Sequence, residues 1–195
     1  MSTEPTAQPT TDPQPERMLL SRARMIANAL VLDLTPYCER IEIAGSIRRN
    51  RPTVEGIELL AIAKWSRDPD RLFDDESVSL LQRQLARRVG EGRLHPLIWG
   101  AKQARFRLVK SGAMLDLFVV TPETWGVQMV VRTGPAEFSN RFVTQRSKGG
   151  LLPDHLRVSE GRIWDGDTPV HTPEERDLFA AIGMDWIAPE KRGRV

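Results

Sequence analysis

Hydrophobic residues recur at two different spacings along the chain, and these spacings predict a mixture of helices and strands. Apolar residues three and four apart between Leu19 and Leu34 predict an amphipathic helix over residues 17–34. Strands over residues 39–44, 56–64, 103–110 and 113–120 are predicted to form a sheet, and the mainly apolar runs 54–63 and 113–120 are long enough for buried strands. A further helix is predicted over residues 76–89 and a further strand over residues 94–99.

Turn and capping residues predict shorter elements in the second half of the chain. Thr121 followed by Pro122 is typical of a helix start, because Thr caps the first turn and Pro has no N–H to leave unpaired. Thr172 and Glu175 have the spacing of a capping box. The elements predicted here are a helix ending at residue 132, a helix over 135–148, a hairpin of 156–158 and 162–164, and a last helix ending before Gly183.

These elements predict the α+β fold class, with one larger and one smaller domain after a tail. Residues 1–16 are rich in Thr, Pro and Gln and are predicted to be a disordered tail. Residues 17–121 are predicted to form a sheet domain with flanking helices. Residues 122–195 are predicted to form a small α/β domain.

A strand that ends at Gly45–Ser46 predicts a phosphate-binding turn. Glycine permits a sharp turn and close approach of a ligand, and Ser46 can start a short helix whose free N–H groups face an anion. Arg48 and Arg49 follow directly, and guanidinium groups suit phosphate oxygens. The alternative is an ordinary turn followed by solvent-exposed arginines.

Two acids within apolar strands predict a metal site. Glu58 lies between Ile57 and Leu59, and Asp116 is the only charged residue of the run 113–120. A buried carboxylate is costly unless it binds a metal or another cation. Carboxylates on neighbouring strands could hold Mg²⁺, and two such ions can assist an in-line phosphoryl transfer.

The Gly-Ser turn, its arginines and the two strand acids, taken in their order along the chain, resemble the palm and thumb of the family X DNA polymerases. These enzymes belong to the polymerase beta-like nucleotidyltransferase superfamily. The resemblance covers about residues 38–192 and corresponds to a minimal palm-plus-thumb form, with 17–121 as palm and 122–195 as thumb. It is carried by Gly45-Ser46-x-Arg48-Arg49, Glu58, Asp116-Leu117-Phe118, Thr133-Gly134, and the closing runs 172–183 and 186–192.

The resemblance implies an enzyme that adds nucleotides to a DNA 3′-hydroxyl with release of pyrophosphate, in DNA repair or replication. It implies that Glu58 and Asp116 are catalytic and bind Mg²⁺ or Mn²⁺, with Asp116 also near the primer 3′-hydroxyl. It further implies that the nucleoside triphosphate is bound by Gly45, Ser46, Arg49, Thr133 and Gly134.

One departure from the family pattern leaves the activity open. The family has a third metal-binding acid two residues before Glu58, where this chain has Gly56. Glu55 is adjacent, but side chains alternate along a strand, so Glu55 reaches the metals only if the backbone bulges at Gly56. Without that bulge, the alternative is a catalytically degenerate relative that binds nucleotide or DNA. Val131 and Arg132, where relatives carry aromatic residues, also leave the choice between deoxyribose and ribose open.

Charge distribution predicts a nucleic-acid partner. The net charge is only +2, but basic residues outnumber acidic ones between residues 102 and 148. Such a cluster neutralises phosphates, and primer–template DNA is the expected partner. The residues predicted to contact nucleic acid are Lys102, Arg105, Arg107 and Arg141. Alternatives are scattered solubilising charge, and a small molecule or protein as the nucleotide acceptor.

The remaining composition predicts a cytoplasmic monomer with no membrane partner. A single cysteine, Cys38, excludes an internal disulfide and fits a reducing compartment. No apolar stretch reaches the ~20 residues that span a bilayer. The first sixteen residues also lack the apolar core of a signal peptide.

Overall fold

The computed structural model describes residues 17–67 and 77–193. The predicted tail over residues 1–16 and residue 76 lie outside the described residues. The described α-helices are α1 (Leu20–Leu34), α2 (Gly45–Arg48), α3 (Leu80–Gly90), α4 (Trp125–Thr133), α5 (Ala136–Val143) and α6 (Glu175–Ala181). Short 3-10 turns occupy Thr35–Tyr37, Pro122–Thr124, Arg146–Lys148 and Pro189–Lys191. Within the described residues, no helix has the length and apolar character needed to cross a membrane.

The strands of the described chain form one large sheet and three small ones, so the fold is α+β as the sequence predicts. The strands are β1 (Met18–Leu19), β2 (Cys38–Ile43), β3 (Thr53–Val54), β4 (Ile57–Ala63), β5 (Trp65–Arg67), β6 (Ser77–Ser79), β7 (Leu94–Trp99), β8 (Gln103–Leu108), β9 (Met114–Val120), β10 (Leu156–Ser159), β11 (Arg162–Asp165) and β12 (Thr168–Val170). The large sheet has the order β2-β4-β9-β8-β7, and only the β4–β9 pairing is parallel.

Apart from Glu58, strand β4 is apolar, because helices cover both of its faces. Leu59 and Ala61 share one core with residues of α1 and α3. Leu60 and Ile62, which alternate with them, share a second core with Trp125 at the start of α4. A strand buried on both faces reads as a continuous apolar run rather than an alternating one. Glu58 has the same parity as Leu60 and Ile62 and therefore lies on the α4 side of the sheet.

Helices α4, α5 and α6 pack with the three-stranded sheet β10-β11-β12 around a separate core. The buried members of this core are Val127, Val130, Phe138, Phe142, Leu152, Leu156, Ile163, Leu178, Phe179 and Ile182. The predicted hairpin over 156–158 and 162–164 is present, and β12 adds a third strand that the sequence does not indicate. The division of the chain at residues 121 and 122 stays a prediction.

The helix predicted over 135–148 is too long. Helix α5 ends at Val143, and Thr144 is extended, with φ −97° and ψ 137°. The chain then folds back, so that a Cβ on Gly150 would lie 1.8 Å from the carbonyl oxygen of Thr144. Residues 146–148 form only a 3-10 turn. The close approach at Gly150, rather than helix propensity, therefore decides where the helix ends.

The capping box predicted for the last helix is shifted by two residues. Glu174 is the N-cap of α6, and its reciprocal partner is Asp177. Thr172 is buried, and its hydroxyl has no hydrogen-bond partner in the described chain. Because the box moves, Glu175 is free to point into the interior. The start predicted at Thr121 is confirmed, since Thr121 caps the turn Pro122–Thr124 that leads into α4.

Cys38 provides a test of this packing. The thiol lies at the start of β2 with 3% exposure, and burial raises its pKa to about 11. Because the thiolate is the reactive species, we expect iodoacetamide at pH 8 to label native protein much more slowly than protein unfolded in guanidinium. Equal labelling rates, measured by mass spectrometry, would contradict the buried position.

Candidate functional site

The parallel pairing of β4 with β9 places the two predicted acids side by side. Glu58 is in register with Asp116, and both side chains project from the sheet face that α4 covers. The side chain of Asp116 is only 14% exposed, and Glu58 is half-buried. Two carboxylates on adjacent strands in a partly buried position repel each other, and nearby cations are needed to offset this repulsion.

Gly45 lies directly against Glu58. Its φ is +61°, and a Cβ there would lie 1.4 Å from Oε2 of Glu58. The backbone N–H of Ser46 donates a hydrogen bond to the same carboxylate. Glycine is therefore required at this turn both by its backbone conformation and by the space that Glu58 occupies.

Burial, and then the charge of Asp116, raises the pKa of Glu58 above its ordinary value. The nearby guanidinium groups of Arg49 and Arg132 and the N–H of Ser46 oppose this shift without cancelling it. Arg132, in the last turn of α4, stacks on the ring of Phe118 at 3.9 Å and is also close enough to interact with Asp116. The two acids therefore lie among arginines.

Arg105 binds Asp116 through two hydrogen bonds. Its Nε lies 2.6 Å from Oδ1 and its Nη2 lies 3.1 Å from Oδ2. A fork of this kind is the strongest common ion-pair geometry. Arg105 is also one of the residues predicted to contact nucleic acid; in the structure its guanidinium is bound to Asp116, and the contact with nucleic acid stays a prediction. Lys102 and Arg107 are exposed, and Arg141 is half-buried on α5.

The predicted nucleotide-binding residues converge at the end of α4. Arg48 donates to the hydroxyl of Thr133 at 3.0 Å, and Arg49 donates to the carbonyl oxygen of Thr133. Gly134 follows as the C-cap of α4. The turn at Gly45–Ser46 and the turn at Thr133–Gly134, which are far apart in the sequence, are thus joined by two arginines.

A buried carboxylate outside the predicted set ties the sheet to the C-terminal part. Glu175 accepts two hydrogen bonds from Arg48, at 2.8 and 2.6 Å, and one from Arg192 at 2.7 Å. The side chain of Glu175 is 7% exposed, and that of Arg192 is fully buried. Burial would raise the pKa of Glu175, but the hydrogen bonds from both arginines outweigh it and hold the pKa below its ordinary value.

Glu55 does not join the acid pair. Its exposed carboxylate forms an ion pair with Arg17 at 2.9 Å. In this conformation Glu55 lies apart from the acid pair, and its role as a replacement for the missing acid stays a prediction. Gly56 lies beside Met114 by the register of the strands, and a Cβ there would lie 3.2 Å from the carbonyl oxygen of Met114. A side chain fits at position 56 only with a shift of a few tenths of an ångström.

The donor set does not fit a two-ion magnesium or manganese centre. Among the described residues, no three His, Cys, Asp or Glu side chains gather closely enough to hold a metal ion. Of the two acids present, Asp116 already has both oxygens bound by Arg105. Divalent ions of this type need several oxygen ligands, and arginines around the acids repel them. Binding of Mg²⁺ or Mn²⁺ at this pair stays a prediction from the resemblance.

Comparison with known proteins bears on the C-terminal third of the chain. Residues 129–193 match the family described as DNA polymerase beta thumb. The matched segment includes Thr133, Glu175 and Arg192, and it excludes Glu58 and Asp116. No curated protein matches the chain. The match supports a relation to polymerase beta-like proteins through the thumb, and it leaves the sheet and its acids to be argued from their geometry.

Sequence reasoning missed the roles of Arg105, Glu175 and Arg192. Arg105 stands on a strand next to Asp116, and only the register of β8 with β9 pairs them. Glu175 looked like a capping residue because it follows Thr172 at the right spacing. A signal for Arg192 exists, since it closes a run that resembles the end of the thumb.

Replacing Glu175 with Gln tests the buried network. Two arginines would lose their shared charge partner, and the cost of breaking a buried ion pair is roughly 3 kcal/mol. Chemical unfolding at neutral pH should show this loss. Because the pKa of Glu175 is lowered in the folded protein, its contribution is present above the ordinary carboxyl range and lost as the pH falls below it. The difference in unfolding free energy between wild type and Glu175→Gln should therefore become smaller at a pH below the ordinary carboxyl range.

Glu174→Gln is the matched control. Glu174 also pairs with an arginine, Arg40, but half of its side chain is exposed, so its loss should cost at most about 1 kcal/mol. Equal losses for the two variants would contradict the network.

Proposed function

We propose that this protein binds DNA and a nucleoside triphosphate on a polymerase beta-like nucleotidyltransferase framework, with slow or absent nucleotidyl transfer. The observation that carries the proposal is the acid pair itself. Glu58 and Asp116 are adjacent, the third acid is replaced by Gly56, and Asp116 is bound by Arg105. These features support a site with less negative charge than metal-assisted transfer needs.

DNA as partner is supported by the thumb match and by exposed cations near the acids. Arg107 is two residues from Arg105 on β8, so both side chains project from the same face of the sheet. Arg107 and Lys102 are exposed. They lie on either side of Arg105 along the chain, so a phosphate backbone that follows β8 would meet cations next to the acid pair. Such binding weakens steeply as salt rises.

A nucleoside triphosphate as ligand is supported by the residues that meet at Thr133. The turn at Gly45–Ser46 and the guanidinium of Arg49 lie together at the end of α4. Phosphate oxygens favour guanidinium groups and backbone N–H donors. Binding there requires the Ser46 N–H to exchange its bond with Glu58 for one with phosphate.

The second candidate function is the active form of the same framework, which adds a nucleotide to a DNA 3′-hydroxyl. It is favoured by the retention of Glu58 and Asp116 in register. In that function Asp116 would accept a hydrogen bond from the primer 3′-hydroxyl, which requires Arg105 to release it. Arg49 would hold the triphosphate, and catalysis would come from positioning and from electrostatic stabilisation.

An acid introduced at position 56 distinguishes the binding function with slow transfer from the active nucleotidyltransferase. We expect wild type to bind gapped duplex DNA at low salt and to extend a labelled primer poorly. Gly56→Asp should raise extension by roughly a hundredfold, the size of a single electrostatic group in an active site. Gly56→Ala is the control, because it adds a Cβ next to Met114 without adding a carboxylate. This variant should not gain activity.

Two results would contradict the proposal. Extension by wild type that matches Gly56→Asp and disappears in Asp116→Ala would establish the active form. Absence of DNA binding at low salt would remove the nucleic-acid partner and revive a small-molecule or protein acceptor.

A further inference from the structure

The charges that surround Glu58 and Asp116 are unusual for a site expected to attract divalent ions. Three guanidinium groups, those of Arg49, Arg105 and Arg132, face the two carboxylates. Three positive charges against two negative charges leave the group with one net positive charge. A group of this sign attracts an anion, and the positive charge of the arginines opposes the approach of a divalent cation.

Two of these arginines keep unused hydrogen-bonding capacity. The Nε atoms of Arg49 and Arg132 are buried and have no hydrogen-bond partner within the described residues. Burial is also the main reason that the pKa of each guanidinium is lowered. A buried donor without a partner costs free energy that an oxygen ligand would recover. An anion that reached these two arginines would therefore gain hydrogen bonds as well as charge balance.

Arg105 supplies the positive charge that the partly buried carboxylate of Asp116 needs. Its fork covers both oxygens of Asp116, and 44% of its own side chain remains exposed. It neutralises Asp116 as a bound divalent ion would, but it brings N–H donors in place of an ion that needs further oxygen ligands. Because Arg105 is part of the chain, its positive charge is present whatever the concentration of divalent ions in solution.

We propose that this site binds the triphosphate of a nucleotide without a divalent metal, with Arg105 taking the place of the cation on Asp116 and Arg49 and Arg132 contacting phosphate oxygens. This inference rests on the proposed function, because it assumes the nucleotide site. It adds that the ligand is the metal-free tetra-anion and that Mg²⁺, which removes two of its charges, does not assist binding.

Calorimetric titration with dATP, in excess EDTA and in excess Mg²⁺, tests the proposal with the full chain. We expect binding in EDTA to be at least as tight as binding in Mg²⁺. Inorganic tripolyphosphate should compete with dATP in EDTA, because the phosphates carry the contact. Tightening by Mg²⁺ of about tenfold or more, equivalent to about 1.4 kcal/mol, would overturn the proposal.

Arg105→Ala changes the charge balance at one point. It frees Asp116 and leaves the remaining four side chains with no net charge, so dATP binding in EDTA should weaken by about tenfold. Mg²⁺ should then improve binding, because the freed carboxylate can accept it. Arg105→Lys keeps the charge without the fork and should retain most of the metal-free binding, which also covers the case in which the alanine variant is unstable.

Arg87→Ala is the matched control, because Arg87 lies on α3, across the sheet from the acids, and pairs with Glu91 at 3.3 Å. It removes one positive charge from the protein and should leave dATP binding unchanged. Equal weakening in Arg87→Ala and Arg105→Ala would mean that only total charge matters, and would contradict the proposal.

Gapped duplex DNA is titrated in the same preparations to separate the two claims. DNA binding together with dATP binding only in Mg²⁺ overturns the metal-free inference and leaves the proposed function standing. DNA binding with no dATP binding in either solution also overturns the inference. Failure to bind either ligand overturns the proposed function itself.

Discussion

The parallel pairing of β4 with β9 is the constraint on which the rest of the site depends. It fixes Glu58 beside Asp116 in a partly buried position, where two like charges raise each other's energy. Compensation has to come from cations held by the same framework. Arg105 reaches Asp116 from the next strand, while Arg49 and Arg132 approach Glu58 from the neighbouring turn and from α4. The absence of a Cβ at Gly45 follows from the same constraint, because Glu58 occupies that space.

A second set of contacts carries this arrangement into the C-terminal part. Arg48 leaves the same turn as Arg49 and donates hydrogen bonds to Thr133 and Glu175. Arg192 completes the charge balance of Glu175 from near the end of the chain. The thumb-like segment is therefore connected to the sheet domain next to the Gly45–Ser46 turn.

The sequence predicts the central strands β4 and β9 well because they are covered on both faces and read as nearly continuous apolar runs. It also predicts that Glu58 and Asp116 have a cationic partner or a functional role, because an unpaired carboxylate in a buried strand costs free energy. It fails where the outcome depends on distant neighbours. The end of α5 is set by a close approach at Gly150, and the shifted box at Glu174 frees Glu175 for Arg48 and Arg192. The role of Arg105 depends on strand register, which the apolar pattern alone does not give.

The central claim is that arginines, rather than divalent ions, balance the acid pair. Crystals of the full chain grown with dATP and Mn²⁺ test it most directly, because Mn²⁺ is located by its anomalous scattering. We expect no anomalous peak between Glu58 and Asp116, Arg105 still bound to Asp116, and phosphate oxygens near Arg49 and Arg132. Two Mn²⁺ peaks bridging the carboxylates, with Arg105 displaced, would contradict the account.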